Sequence, residues 1–169
     1  MIRIERDPEW WRRIAGDRDV IDSLLGHDPQ PLLAAVTGED VLPLASAHGG
    51  FLFVKRDPLG FVADLHTLFT PEGRGREALL AAVEALGVVW ASGFQAVTTF
   101  EVKANPHSRP PRVFGFTRAG DWRDTPLGPL RLWILTREAW TLSPACRRHS
   151  CPSPSWPPVS ARPAPSADP

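Results

Sequence analysis

The chain has 169 residues, 43% of them apolar, and its 19 Lys plus Arg are balanced by 19 Asp plus Glu. A length of that order suits one domain with a sizeable core, and zero formal net charge argues against a nucleic-acid partner. No apolar run reaches the roughly 20 residues of a membrane span, and the charged stretch from Met1 to Arg6 is not a signal peptide.

The two cysteines, Cys146 and Cys151, match no zinc-ligand spacing. A cytoplasmic, metal-free protein is therefore expected. Residues 2–5 alternate and predict a short first strand. Asp7, Pro8 and Glu9 then supply the cap, the N1 proline and the early acid of a helix. Its apolar side is Trp10, Trp11 and Ile14, and Gly16 closes it. Large aromatics are usually buried, so the tryptophan pair reads as core or lid rather than as a stacking platform. A second helix is expected over 17–25, ended by Gly26, and a third from Asp28-Pro29 to Gly38.

Strands follow at 41–47 and 50–55. Asp57-Pro58-Leu59-Gly60 has the residues of a type I turn, so the strand after it is the partner in a hairpin. That strand, 61–69, directs Phe61, Ala63, Leu65 and Phe69 to one face. Val62, Asp64, His66 and Leu68 take the other. A helix is predicted over 71–86, with Thr70 as its cap, Pro71 at N1 and Gly87 as its exit. Gly73 and Gly75 weaken such a helix start, at about 0.5–1 kcal/mol each. They also bare backbone N–H groups at a helix N-terminus, where an anion can approach, and Arg74 and Arg76 add positive charge. A tight strand-to-helix turn with no ligand explains the same glycines.

Residues 96–102 are β-branched and aromatic and predict a strand parallel to 61–69 across a right-handed crossover. The stretch from Asn105 to Ser108 breaks it. Pro110 and Pro111 are then expected in the first turn of a short helix through Phe114, capped by Ser108 or Arg109. Two last strands fall near 116–122 and 130–135. Beyond Trp140 the prolines crowd a stretch poor in aliphatics. Residues 1–140 are thus expected to form the domain, and 141–169 a disordered tail that packs against nothing.

This order of elements, over about residues 1–140, resembles the GNAT superfamily of N-acetyltransferases. Two segments carry the resemblance. Thr70-Pro-Glu-Gly-Arg-Gly-Arg-Glu-Ala-Leu-Leu80 resembles the family's acetyl-CoA loop, and the run from Asn105 to Phe116 resembles its later segment ending in Gly-Phe. The second half is also similar to small GNAT-like proteins of phages and prophages. The resemblance implies an α/β fold of the acyl-CoA N-acyltransferase type, a mixed sheet with helices on both faces. It implies acetyl-CoA as co-substrate and an amine of unknown identity as acceptor.

Carried over residue by residue, the backbone N–H groups of Gly73, Arg74, Gly75 and Arg76 would hold the CoA pyrophosphate. The pantetheine arm would lie between the backbone of Leu68, Phe69 and Thr70 and the strand end from Glu101 to Lys103. Asn105 and Ser108 match positions that touch the arm. The sequence departs from the pattern at Glu72, Glu77 and Pro111. Pro111 stands where the family often has the tyrosine that protonates the departing thiolate, and this chain has no Tyr.

Acetyl transfer to an amine needs a base. His66 and Asp64 are candidates on one strand face, Glu101 is a third at a strand end, and His107 lies near the vacant tyrosine position. Each also reads as an ordinary structural residue. His27 and His48 are assigned no role. Two function classes stay open: a GNAT-type acetyltransferase, and a non-catalytic module of the same fold that binds a partner or stabilises an assembly.

Overall fold

The computed structural model describes residues 1–23, 28–103, 105, 108, 110–126 and 128–149. Its strands are β1 (Arg3–Ile4), β2 (Val41–Ser46), β3 (Gly49–Lys55), β4 (Val62–Phe69), β5 (Ala96–Val102), β6 (Thr117–Trp122) and β7 (Leu130–Thr136). They form one mixed sheet in the order β1-β2-β3-β4-β5-β7-β6. The helices are α1 (Pro8–Ala15), α2 (Arg18–Ser23), α3 (Gln30–Ala34), α4 (Arg76–Ala91), α5 (Arg137–Leu142) and α6 (Pro144–Arg148).

Strand alternation sorts the core into two layers. Phe51 and Phe53 of β3, Ala63 of β4, Val97 of β5 and Leu135 of β7 pack with Ala81, Ala85 and Val89 of α4 and with Trp140 and Cys146 of the last two helices. Leu52, Leu68 and Ala45 point the other way, onto Trp11 and Ile14 of α1 and onto Leu33 and Val36. The sheet is therefore covered by helices on both faces, as expected, and β4 lies at its centre. Trp11 is wholly buried. Its indole Nε1 donates to the Glu5 carbonyl at 2.7 Å, which satisfies the one polar atom that this burial would strand.

The hairpin turn forms as its chemistry demands. The Asp57 carboxylate accepts from Leu59, Phe61 and Val62 N–H groups, the last at 2.7 Å. Those bonds, that from Val62 foremost, hold its pKa below the ordinary aspartate value. Phe61, expected as the first residue of the strand, precedes β4 and is exposed.

The larger differences from expectation are four. The helix after β4 does not start at Pro71: residues Pro71–Gly73 make a single 3₁₀ turn, Thr70 provides no side-chain cap, and α4 begins at Arg76. The cause is Gly75, whose φ of 71° and ψ of −127° interrupt the helical path. The same helix runs through Gly87 to Ala91. Continuing buries Val89 and Trp90. Full burial of a Val alone is worth about 1.5–3 kcal/mol, against roughly 1 kcal/mol for a helical glycine. The short turn before Gly115 starts at Arg112, with Pro111 just outside it. Ser108 does not cap it, because its Oγ accepts from Val102 N–H at 2.9 Å instead, with the Val102 and Asn105 carbonyls as acceptors within reach of its one proton.

The fourth difference is at the C-terminus. The expectation that the chain packs against nothing from residue 141 onward fails for 141–149. Ser143 caps α6, its Oγ accepting from Cys146 N–H at 3.1 Å, and Pro144 takes the first helical position. Ala145 and Cys146 enter the core beside Phe114 and Trp140. Residues 150–169 lie outside those described, as do Leu25, Gly26, His27, His107 and Arg109. Ser143→Ala should lower unfolding free energy by about 0.5–2 kcal/mol, the usual worth of a cap. A shift of the urea midpoint at unchanged slope is the expected reading.

Candidate active site

The parallel pairing of β4 with β5 is short. Its register runs Val62↔Ala96, Ala63↔Val97 and Asp64↔Thr98, and then stops. On the far side of β4, pairing with β3 continues to Phe69, and β5 pairs with β7 out to Val102. The two central strands therefore part after Asp64, while each stays anchored to its outer neighbour. A cleft of about 770 Å³ opens at the split.

Backbone alternation tells which groups face the gap. Val62 accepts from Arg56 and Thr70 donates to His48, so even-numbered residues of this strand turn their backbone toward β3. Ala63 and Leu65 carbonyls accept from the Thr98 and Thr99 hydroxyls across the split, and the Phe69 carbonyl accepts from Arg74 Nε. The N–H groups of Thr67 and Phe69 thus point into the gap, beyond the last registered pair.

One end of the cleft is the start of α4. Gly75, Ala78 and Leu79 line it. Gly75 caps the helix without any side-chain hydrogen bond, and the first helical bond is Leu79 N–H to the Gly75 carbonyl at 3.1 Å. The N–H groups of Arg76, Glu77 and Ala78 therefore have no intrahelical acceptor, and the helix dipole adds positive potential there. The two glycines separate in role. A Cβ on Gly73 would meet the His48 side chain at 2.7 Å, so that glycine serves close packing. A Cβ on Gly75 would meet nothing within 4 Å, so that position faces open space. Arg74 reaches the cleft but is partly committed: its guanidinium donates to the Phe69 and Asp19 carbonyls.

The other end carries Asp28, Asp64, His66 and Phe100. Asp64 forms an ion pair with Arg56 and accepts from the Thr98 hydroxyl. His66 lies two residues along the same strand face. Its pKa is depressed, chiefly by the partial desolvation that neighbouring groups impose on the imidazolium, with Asp64 opposing and Arg56 adding to this, although the residue as a whole is exposed in the open cleft. A pKa lowered from the ordinary histidine value favours the neutral ring at neutral pH.

Of the residues singled out in the sequence, the structure gathers Asp64, His66, Leu68, Phe69, Arg74, Gly75, Asn105 and Ser108, with Pro111, in the lining of this one cleft. Thr70, Gly73 and Arg76 flank it without lining it. Glu101 is placed elsewhere. Its carboxylate accepts from Arg131 Nη1 at 3.1 Å and from Trp133 Nε1 at 2.8 Å, on the sheet face where β5 pairs with β7. It does not line the cleft. Sequence reading missed the aromatic lining, Phe100 and Phe116 above all. Its only signal was that aromatics recur on strands beside the split.

No family model matches the chain, and no curated protein matches it. Solved structures do. The spermidine N-acetyltransferase from Vibrio cholerae in complex with CoA and spermine superposes with a TM-score of 0.63 at 13% identity, covering 83% of this chain and 96% of that one. The aminoglycoside acetyltransferase AAC(6')-Ib in complex with ribostamycin and coenzyme A gives 0.61 at 18%, covering 82% and 94%. Aminoglycoside 6'-acetyltransferase type Ii gives 0.61 at 13%, covering 80% and 96%. The chain is built on the fold of these N-acetyltransferases.

Proposed function

We propose that this chain is a GNAT-type N-acetyltransferase that moves the acetyl group of acetyl-CoA to an amine. The observation that carries the reading is the split between β4 and β5, continuous with the uncapped start of α4 at Gly75. The split offers strand-edge N–H groups to an extended, amide-bearing arm. The helix start offers N–H groups to a pyrophosphate. Solved neighbours of the same fold hold coenzyme A, with spermine in one case and ribostamycin in another.

In this reading the backbone of Thr67 and Phe69 holds the pantetheine arm, and the N–H groups of Arg76, Glu77 and Ala78, with Gly75 leaving room, hold the pyrophosphate. The amine nitrogen bonds to the thioester carbonyl carbon, and the carbon–sulfur bond breaks. His66 takes the proton the amine sheds. The same proton balances the one the departing thiolate requires, which matters in a chain with no Tyr. Asp64, tied to Arg56 and Thr98, fixes the local field beside His66 rather than acting as the base.

A second reading keeps the fold and drops the chemistry. It rests on Pro111 in the cleft wall at the usual tyrosine position and on Glu77, an acid in the first turn of α4. Thermal shift separates the two. Acetyl-CoA at 100 times its Kd should add about 2.7 kcal/mol of apparent stability. An unchanged melting temperature at millimolar acetyl-CoA would favour the non-catalytic module.

A further inference from the structure

We infer that the acceptor is a monoamine with a flat apolar body, not a polycation. This rests on the reading of the cleft as an acetyl-transfer site and specifies its second substrate.

The end of the cleft away from α4 is poor in free negative charge. Among the described residues that line it, the carboxylates are Asp28 and Asp64. Asp64 is already neutralised by Arg56 and hydrogen-bonded by Thr98. Asp28 accepts from Gln30 N–H at 2.9 Å just before α3 and keeps acceptor capacity for a single ammonium group. A polyamine or an amino sugar would bring several ammonium groups to a lining whose one carboxylate outside an ion pair is Asp28, so all but one of those charges would be desolvated without a partner among the described residues.

What the site offers instead is aromatic surface. Phe100 lines the cleft, with its ring 5.8 Å from that of Trp122, and Trp122 is 46% exposed. Leu130, registered opposite both Val102 and Trp122, extends the same sheet face. The helices of the C-terminal part pack on the opposite face, with Phe114 and Trp140. An apolar amine can lie on this surface with its nitrogen toward His66, and only that nitrogen needs a polar partner.

Calorimetry with CoA, 2-phenylethylamine and spermidine tests this. CoA is titrated first. If it binds, each amine is titrated into the CoA-saturated protein. The expected result is saturable binding of 2-phenylethylamine, at least about tenfold tighter than spermidine. Trp122→Ala should weaken the aromatic amine about three- to tenfold and leave CoA affinity unchanged. Equal or tighter binding of spermidine, or no binding of 2-phenylethylamine to CoA-saturated protein, overturns the acceptor class alone. Failure of CoA itself to bind overturns the acetyl-transfer reading, and the acceptor assignment with it.

Discussion

His66→Gln should lower kcat for acetyl transfer by about 10²–10⁴-fold, the usual worth of a positioned base, with little change in CoA affinity. Gln keeps the size and a hydrogen-bonding end but cannot take a proton at neutral pH. The pH profile gives a second test of the same residue. His66 must be neutral to act, so the rate should hold at neutral pH and fall as pH drops below the ordinary histidine value of about 6.5, through a pKa that the cleft depresses. Gln at this position should flatten that acid limb.

Stability follows with a sign that can be worked out. Folded His66 resists protonation more than the unfolded residue does. Its contribution is therefore whole above about pH 6.5 and is lost as pH falls toward the folded pKa. Relative to wild type, His66→Gln should lose less stability across that window. A kcat within a few-fold of wild type, with the acid limb intact, would remove His66 from the mechanism.

Gly75→Val should weaken CoA binding by at least about tenfold, or 1.4 kcal/mol. The position lies at φ 71° and ψ −127°, with no atom within 4 Å of where a Cβ would stand. A β-branched residue there pays backbone strain of about 1–3 kcal/mol, and its methyl groups fill the space next to the free N–H groups of α4. Gly73→Ala makes the contrast. Its new methyl collides with His48 in a packed turn, so it should lower the melting temperature before it touches ligand affinity. Equal CoA affinity in Gly75→Val and wild type would mean that Gly75 only shapes the chain.

The sequence was most legible where structure is local. Alternation over 61–69 marked the central strand β4. The Asp57 turn marked the hairpin, and the residues from Asp7 to Gly16 marked α1 with both its caps. Less legible were features in which tertiary burial competes with a local signal. Gly87 reads as a terminator, but Val89 and Trp90 have a core to enter, so α4 continues. Proline density after Trp140 reads as disorder, yet Ser143-Pro144 is itself a helix start, and Cys146 had a place beside Phe114.

The site divides in the same way. The helix N-terminus at Gly75 and the face shared by Asp64 and His66 follow from spacing along one strand and its loop. The aromatic wall and the withdrawal of Glu101 follow from register. Glu101 sits opposite Arg131 only because β7 inserts between β5 and β6. Nothing local in the sequence around Glu101 announces that neighbour.

The central claim is that the split between β4 and β5 is a CoA site. Titration calorimetry of CoA into the wild-type chain tests it most directly. The account predicts saturable binding with one CoA per chain, weakened in Gly75→Val. Absence of any binding heat at millimolar CoA, together with an unchanged melting temperature, would contradict it.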